Sequence, residues 1–518
     1  MISLTEWLLF IITLLFGLYV WSKYKLSYWR RKNVPFIEPN IFLGSLQDML
    51  KMSKSGAENL QDLYNHTNAK DQPILGIYIL NKPVLLVREP ELIKSILIKN
   101  FNKFSNRYSS TDVKGDPLGS STLFFIKNPH WKELRSKLTP VFSSGKIKQM
   151  FPLILDVGNE LDEHLLALEA DQDKSFVEEV KEICALYTTD VIASVAFGIQ
   201  ANCLNNPECE FRRNGRSIFN FTLHRALQFT FAFFIPYLTP LVRCRIFPKE
   251  AEKFIRKSIN FVMSERMKNG NSRNDLIDVL IAFKKAAEDR NDMSSALAMN
   301  NEILVAQAAI FFVAGYETSS ATMSFCLYEL AKNSEIQKRL REEIKGALKA
   351  NDGKLTYEAV NEMDYLNMVV MEVLRMYPPL PFLDRQCTLA KDEKEFSLEP
   401  ESNFAIPNNM PVFIPTFGIQ RDPKYFPNPE QFDPERFSLE NKANLHPYTY
   451  MPFGLGPHNC IGERFGLVQA KVGLIHILKN HYVDVCDKSH SKMKLDPKAL
   501  VIQSEGGIFC KFVRDPLI

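Results

Sequence analysis

A ten-residue segment near the C-terminus, Phe453 to Gly462, constrains the fold more than any other part of the chain. It reads Phe-Gly-Leu-Gly-Pro-His-Asn-Cys-Ile-Gly and lies directly before an apolar run of helical period. Its glycines allow backbone angles and close approaches that other residues resist. The pattern predicts a stiff loop that presents Cys460 ahead of a helix N-terminus. Free amide groups and the helix dipole would stabilise a thiolate there.

A plain interpretation of Cys460 is a buried thiol, because cysteine is often buried for packing alone. The surrounding pattern, Phe-x-x-Gly-x-(basic)-x-Cys-x-Gly, however, resembles the haem-binding loop of the cytochrome P450 monooxygenases. Phe453, Gly456, Cys460 and Gly462 match that pattern position by position. His458 stands where most members carry an arginine that holds a haem propionate. The resemblance implies that the Cys460 thiolate is the axial ligand of the iron of haem b, that Phe453 contacts the cofactor, and that His458 holds a propionate in place of the arginine.

Composition limits the remaining classes of protein. The 518 residues suffice for one very large domain or two ordinary ones, and 46% hydrophobic with 24% charged residues excludes a disordered chain. The net charge of +3 is too small to indicate a nucleic-acid partner. The nine cysteines show no paired spacing. Cys203 and Cys209 could pair, but we expect the chain to face a reducing compartment, without a disulfide framework.

The N-terminus carries a targeting signal. Residues from Trp7 to Ser22 are uncharged and strongly apolar, and with their neighbours they approach the ~20 residues that span a bilayer. The slightly short length suits the thinner endoplasmic reticulum membrane. Glu6 precedes the run and basic residues follow it (Lys23, Lys25, Arg30, Arg31 and Lys32), which predicts that the rest of the chain is cytosolic. A cleaved signal peptide is the rival interpretation, but no small-residue cleavage site follows the run.

We therefore predict three regions. Residues 1–22 form an uncleaved transmembrane signal anchor, and residues 23–40 form a basic hinge that contains Pro35 and Pro39. Residues 41–518 form one catalytic domain. Within it, two apolar runs between Leu75 and Val87 flank Asn-Lys-Pro and predict a hairpin of a small sheet.

Trp131 and Arg135 are four residues apart in a helix that we predict to begin after Pro129, so they share one helix face. Taken alone, the pair suggests an exposed arginine beside a core tryptophan. Trp-x-x-x-Arg also resembles the family's helix that bonds a haem propionate. The resemblance further implies propionate contacts for Arg107, in Phe-Ser-Asn-Arg-Tyr, and for Arg385, after a proline-rich turn.

A long helix is predicted from about Glu302 to Lys332, apolar on most sides and therefore buried. Within it, Ala-Gly-Tyr-Glu-Thr-Ser at 314–319 resembles the family's oxygen-activation motif. The resemblance implies that the alanine and the glycine leave space over the iron, and that Glu317 and Thr318 relay protons to dioxygen. The alternative for Thr318 is a hydroxyl that bonds back to its own helix.

Glu372 and Arg375 lie three residues apart on one helix, a spacing that often gives only a solvated ion pair. Together with Arg436, in Asp-Pro-Glu-Arg-Phe, they resemble the family's buried Glu-Arg-Arg triad. Paired guanidinium groups make such a buried carboxylate tolerable. Gln420 replaces a histidine that many relatives carry.

The segment from Phe211 to Leu238 is unusually aromatic and predicts core, a pocket wall or a patch that dips into lipid. The resemblance implies that these helices roof the substrate site. By analogy of position, we expect the substrate to contact Phe124, Phe125, Phe311, Phe312, Ala314, Leu380, Leu383 and Ile508.

The four motifs occur in the family's order, which implies a mainly α, haem-thiolate fold with a small β-rich portion. The implied reaction inserts one oxygen atom of O2 into a lipophilic small molecule at the cytosolic face of the endoplasmic reticulum. Electrons would come from NADPH through cytochrome P450 reductase, with cytochrome b5 as a further partner, because no flavin or nicotinamide fingerprint accompanies the haem motifs. A basic face for docking would comprise Lys132, Lys137, Lys146 and Lys148.

Two segments, Ser-Ser-Gly-Lys-Ile-Lys at 143–148 and Arg-Asp-Pro-Lys-Tyr-Phe at 421–426, resemble the animal microsomal branch that handles drugs, plant toxins and insecticides. An insect-like member is our expectation. Two alternatives stay open: a haem-thiolate isomerase or dehydratase, which needs no reductase and no Glu-Thr pair, and a non-catalytic haem- or ligand-binding membrane protein.

Overall fold

Helices form most of the molecule in a computed structural model that describes residues 4–170, 175–220, 222–270, 272–273, 275–290 and 301–518. The α-helices are α1 (Leu4–Leu26), α2 (Tyr28–Arg31), α3 (Gln47–Leu50), α4 (Gly56–Tyr64), α5 (Pro90–Lys94), α6 (Pro117–Ser120), α7 (His130–Leu138), α8 (Ser144–Glu169), α9 (Val180–Ile192), α10 (Glu210–Ile218), α11 (Leu223–Phe234), α12 (Lys249–Asn269), α13 (Leu276–Arg290), α14 (Asn301–Lys332), α15 (Ser334–Ala350), α16 (Tyr357–Glu362), α17 (Asp364–Met376), α18 (Thr416–Ile419), α19 (Leu439–Lys442) and α20 (Glu463–Asn480). Short 3₁₀ and π turns join several of them.

The strands are few and short: β1 (Ile74–Ile79), β2 (Lys82–Val87), β3 (Ser175–Glu179), β4 (Leu383–Gln386), β5 (Glu395–Ser397), β6 (Ala405–Pro407), β7 (Pro411–Ile414), β8 (His481–Asp484) and β9 (Phe509–Arg514). They pair as β1-β2-β7-β4, β3-β9-β8 and β5-β6. The predicted hairpin is present as the antiparallel β1–β2 pair, with Ile74 opposite Val87 and Ile79 opposite Lys82. The expectation of a mainly helical chain with a small β portion is confirmed.

The long helix α14 lies at the centre of the core. It begins one residue before the predicted start and ends at the predicted Lys332. Side chains on all its faces are buried, as an all-round apolar sequence requires. It packs against α9, α17 and α20, and α20 packs in turn against α8. These helices surround the cavity described below.

The N-terminal helix α1 is long and apolar enough to cross a membrane, and its apolar window has no buried residue. Helix α14 also meets those criteria of length and composition, but 72% of its window is buried in the protein. Residues 23–40, which the sequence predicts as a hinge, include Trp29, which is fully buried. Its Nε1 atom donates to the carbonyl of Ile77 on β1 at 2.9 Å. The chain that leaves α1 is therefore packed onto the β1–β2 sheet.

The pairing of Cys203 and Cys209, which the sequence left possible, is present: the two residues form a disulfide, with Cα atoms 5.6 Å apart. The expectation that these thiols stay reduced is therefore wrong. The carboxylate of Asp190, at the C-terminal part of α9, accepts hydrogen bonds from the backbone N–H groups of Cys203 and Leu204 at 2.8 and 2.9 Å. This contact fixes the turn that brings the two thiols together. The sequence gives no sign of it because Asp190 is remote from the turn in the chain.

Candidate functional site

The loop from Phe453 to Gly462 has the predicted form. Gly454 and Gly456 have φ angles of +74° and +69°, which favour glycine. A Cβ atom on Gly456 would lie 2.0 Å from the carbonyl oxygen of Leu97, so no side chain fits at that position. The N–H of Cys460 donates to the carbonyl of Phe453 at 2.7 Å and closes the loop, and α20 follows directly after Gly462.

Cys460 differs from the other free cysteines of the described residues. Its side chain is exposed and faces a cavity, whereas the others are buried or half-buried. Because this cavity lies within the protein, burial dominates and raises the pKa of the Cys460 thiol to about 11. The Gly462 N–H, Arg135 and Arg107 act in the opposite direction. The expected stabilisation of the thiolate by the loop is present but is outweighed, so a metal cation would have to displace the thiol proton.

The cavity has a volume of about 290 Å³ and an apolar lining. One face of α14 forms its side, with Ile310, Phe311, Ala314, Thr318 and Thr322 at helical spacing. Phenyl rings from other elements close it: those of Phe124, Phe142, Phe233 and Phe382. Five of the predicted pocket residues line the cavity, namely Phe124, Phe311, Ala314, Leu380 and Leu383.

Three of the predicted pocket residues lie outside the lining. Phe312 follows Phe311 on α14, so it points to another side of the helix and packs against Phe197 and Phe211. Phe125 packs edge-on behind Phe124, with ring centroids 4.9 Å apart. Ile508 lies just before β9 and accepts a hydrogen bond from the Val180 N–H at 2.8 Å.

Three arginines converge on the cavity. Arg135 donates from Nη1 to the Asn459 carbonyl at 2.8 Å, and Arg107 donates from Nη1 to the Phe124 carbonyl at 3.2 Å. Arg385 donates to the Asp384 carbonyl, but its buried Nε has no partner. Burial lowers the pKa of Arg385 to about 9 and that of Arg107 to about 10. Asp384 is the one carboxylate among the described lining residues, and it offsets the charge of one of the three arginines. An anion with two negative charges would therefore balance the remaining positive charge.

His458 occupies a different environment from the one its sequence position suggests. Its ring packs against the Trp131 ring at a tilt of 40°, with centroids 3.8 Å apart, and its Nε2 donates to the Ser105 carbonyl at 2.7 Å. Burial, followed by the charges of Arg107 and Arg385, lowers its pKa far below the usual range. The ring is therefore neutral, and its buried Nδ1 has no hydrogen-bond partner.

These residues fit the haem that the sequence implies. Within the described part of the chain, no cluster of three or more His, Cys, Asp or Glu side chains could hold a metal ion. A single cysteine ligand facing a cavity suits a metal whose other ligands come from a macrocycle. The surplus of guanidinium groups suits two propionates. Trp131, Arg135, Arg107, Arg385, His458 and Phe453 all line this cavity.

The acid and the alcohol of the α14 motif lie in different surroundings. Thr318 lines the cavity and donates to the Ala314 carbonyl at 2.7 Å, which is the alternative foreseen from the sequence. Glu317 is buried among other partners: the Lys181 Nζ lies 3.1 Å from its Oε1, and the Gln503 Nε2 donates to the same oxygen. Lys181 also donates to the Ser320 hydroxyl at 2.7 Å.

Gly315 contributes to the packing of two helices as well as to the shape of the cavity. A Cβ atom on Gly315 would lie 2.3 Å from the Cδ1 atom of Ile192 on α9. The glycine therefore allows α9 and α14 to approach each other beside the cavity. Both residues line the cavity wall, so this close approach also shapes it.

The Glu372, Arg375 and Arg436 side chains meet as the sequence resemblance implies. The Arg375 Nε lies 2.7 Å and the Arg436 Nε 3.3 Å from the Glu372 carboxylate, which also accepts the Asp433 N–H at 3.0 Å. Glu372 and Arg375 are fully buried. Gln420 accepts from the Met451 N–H at 2.8 Å and donates to two carbonyls of α17, so it joins α17 to the segment that enters the Cys460 loop.

Several residues of the site carry no sequence signal. Lys181 and Gln503 hold Glu317, and Gln503 is 186 residues away from it in the chain. Asp384 accepts the Ser109 N–H at 2.7 Å beside the arginines. Gln307 bonds to the backbone of the cavity wall, as described below. The one signal in the sequence is the position of Gln307, four residues before the predicted pocket residue Phe311.

Comparison with known proteins gives consistent matches along the chain. The family model described as Cytochrome P450 matches residues 35–511. The Drosophila melanogaster protein named Probable cytochrome P450 6g2 is 52% identical over 496 residues, which cover 95% of each chain. A second fly protein, Probable cytochrome P450 6w1, is 42% identical over 494 residues and 95% of each chain. Cytochrome P450 6k1 of Blattella germanica is 40% identical over 525 residues, 99% of this chain and 98% of that protein.

Proposed function

The chain belongs to the cytochrome P450 family, and we propose that it oxidises lipophilic small molecules in the Cys460 cavity with electrons from an NADPH-dependent reductase. It is a cytochrome P450 monooxygenase. One observation carries the assignment of the site. Among the free cysteines of the described residues, Cys460 is the exposed one, and it lines the cavity together with three arginines.

The residues of the cavity have distinct proposed roles. Cys460 would hold the iron of haem b through its thiolate, and Arg107, Arg135 and Arg385 would pair with the propionates. Haem, when bound, supplies the activation of dioxygen from which one oxygen atom enters the substrate. The neutral His458 ring and Trp131 would pack beside the propionate contacts.

Proton supply is assigned to Thr318 and Glu317. The Thr318 hydroxyl lies at the cavity surface, where it can turn from the Ala314 carbonyl to hold a water molecule. The Glu317 carboxylate can take up a proton only from the other side of α14. There Lys181, with 16% of its side chain exposed, connects it to solvent. The lining is mostly apolar and offers few other groups that could carry a proton, which supports this assignment.

The lining supports the proposed substrate class. Phenyl and aliphatic groups dominate it, which favours a lipophilic, uncharged molecule, and we include plant toxins, insecticides and endogenous lipids in that class. The membrane is a natural reservoir for such molecules. Anchoring by α1 in the endoplasmic reticulum, with the catalytic domain in the cytosol, is part of the proposal.

NADPH–cytochrome P450 reductase is the proposed electron donor and cytochrome b5 an additional partner. The proposed docking face comprises Lys132, Lys137, Lys146 and Lys148. Two of them form ion pairs within the chain, Lys137 with Glu133 at 2.7 Å and Lys148 with Glu358. Their charge toward an acidic partner is therefore partly offset, and Lys132 and Lys146 should contribute more to docking.

The experiment is a reconstitution of the protein with the reductase in lipid vesicles, followed by measurement of oxygen uptake, NADPH oxidation and product with a panel of lipophilic compounds. We expect substrate-dependent oxygen uptake and a product one oxygen atom heavier than the substrate, both absent without reductase. Conversion of a hydroperoxide without reductase, and no oxygen uptake with any compound, would instead identify an isomerase or dehydratase.

A further inference from the structure

We propose that Gln307 is a positioning residue that fixes one wall of the cavity and thereby selects the ligands that the cavity accepts. The wall consists of residues 121–125, here called the 121–125 wall. This inference rests on the proposed function, because it concerns ligands that bind above the haem. It adds a residue outside the lining that controls the shape of the lining.

Gln307 is fully buried on α14, 0% exposed, one turn before Ile310 and Phe311. Its position at helical spacing from both places it at one end of the cavity face of the helix. A buried amide in this apolar helix is costly unless each of its polar atoms has a partner. The contacts of Gln307 therefore indicate what it does.

Both polar atoms of Gln307 bond to backbone. Its Oε1 accepts the Leu123 N–H at 2.9 Å, and its Nε2 donates to the Ser121 carbonyl at 2.9 Å. The same Nε2 donates to the Ile303 carbonyl of its own helix at 2.9 Å, which fixes the rotamer. One side chain thus holds a donor and an acceptor of the 121–125 wall.

The 121–125 wall is an irregular turn, in which these contacts add to local bonds such as that of the Thr122 hydroxyl to the Gly119 carbonyl at 2.7 Å. The preceding helix α6 has only four residues, and its Asp116 cap accepts the Gly119 N–H at 3.1 Å. Within the wall, the Thr122 carbonyl accepts the Phe125 N–H at 3.1 Å. The Leu123 N–H instead reaches across to Gln307. Leu123 and its neighbour Phe124 are the residues of this wall that line the cavity together.

Arg107 holds the other side of the wall. Its Nη1 donates to the Phe124 carbonyl at 3.2 Å, and its guanidinium lies 4.2 Å from the centroid of the Phe124 ring. Between Gln307 and Arg107, the backbone on both sides of Leu123 is tethered. Loss of Gln307 would leave the Leu123 N–H and the Ser121 carbonyl without their buried partner, so the wall would shift until water reaches them. Within the described part of the chain, the hydrogen bonds of Gln307 go to Leu123, Ser121 and Ile303 and not to the Cys460 loop, so that loop would keep its geometry.

Two ligands of haem iron separate these effects. Imidazole needs only the iron, whereas the phenyl ring of 4-phenylimidazole must also fit against the cavity walls. Optical titration of the holoenzyme with each compound gives two dissociation constants. In Gln307→Leu we expect the 4-phenylimidazole constant to rise about tenfold, which corresponds to ~1.4 kcal/mol, while the imidazole constant changes by less than about twofold. Gln307→Glu keeps an oxygen for the Leu123 N–H and should fall between the wild type and Gln307→Leu.

A matched control is Gln337→Leu. Gln337 is also fully buried, on α15, and its amide bonds to the backbone of Val483 and Leu330 at 2.8 to 3.1 Å, away from the cavity lining. Its two dissociation constants should keep the wild-type ratio. The proposal would be overturned if the ratio of the two dissociation constants were unchanged in Gln307→Leu or changed equally in Gln337→Leu. Loss of haem from both Gln307 variants, but not from Gln337→Leu, would overturn it as well. Failure of the wild-type protein to bind imidazole would instead contradict the proposed haem site itself.

Discussion

Lys181 and Glu317 form an ion pair between α9 and α14, with the Lys181 Nζ 3.1 Å from the Glu317 Oε1. Gln503 donates to the same oxygen, so the carboxylate is held outside the cavity lining. Thr318, the next residue, faces the cavity and bonds to the Ala314 carbonyl. The proposed proton delivery through Glu317 would therefore require its carboxylate to leave this ion pair, so the strength of the pair would affect the catalytic cycle.

The strength of this pair can be measured by a double-mutant cycle with Lys181→Met and Glu317→Gln. Each single change should destabilise the protein, because it leaves one buried polar partner alone. The double change should cost less than the sum of the two, by about 1–3 kcal/mol in the free energy of unfolding. Additive losses would show that the two side chains are close but not energetically coupled.

Thr318→Ala should retain haem and ligand binding but lose coupling between reductant and product. We expect hydroxylated product per NADPH oxidised to fall at least about tenfold, with hydrogen peroxide rising in proportion, because the hydroxyl proposed to hold a water molecule for proton transfer is gone. Thr322→Ala is the matched control, since Thr322 lies one turn further along α14 and bonds to the Thr318 carbonyl at 3.0 Å. If Thr318→Ala keeps the wild-type ratio, the hydroxyl serves only its helix.

Lys127 should give stability a measurable pH dependence. Burial lowers the pKa of its amine from 10.5 to about 8, with Asp384 opposing the shift and Arg107 adding to it. Between those values the unfolded chain holds the proton that the folded protein has released, so the free energy of unfolding rises with pH over that window and the gain is lost as pH falls through about 8. In Lys127→Met this rise should be smaller. Parallel stability curves for the two proteins from pH 8 to 10.5 would contradict the assignment.

Local patterns predicted the scaffold of the site well. The continuous apolar pattern of α14 predicted both ends of the helix to within one residue, and the Asn-Lys-Pro turn predicted the β1–β2 pair. The glycine-rich loop gave Cys460 ahead of α20. Each of these features depends on neighbours in the chain, which is what hydrophobic period and turn chemistry report.

Long-range placement was beyond the sequence. Phe312 and Phe125 are adjacent to cavity residues in the chain, but helix rotation and ring packing direct them elsewhere. Lys181, Gln503 and Asp384 enter the site from separate elements and belong to no motif. The ionisation of Cys460 was likewise not predictable from its neighbours in the chain. The helix N-terminus predicted a stabilised thiolate, whereas burial by the whole cavity raises the pKa of the thiol.

The central claim is that Cys460 is the axial ligand of haem iron in this protein. Its most direct test is the reduced carbon-monoxide difference spectrum of Cys460→Ser beside that of the wild type, with Cys486→Ser, a half-buried cysteine outside the cavity lining, as the control. The account predicts the red-shifted band of a thiolate ligand in the wild type and in Cys486→Ser, and its complete loss in Cys460→Ser. Retention of that band in Cys460→Ser would show that another group ligates the iron and would contradict the account.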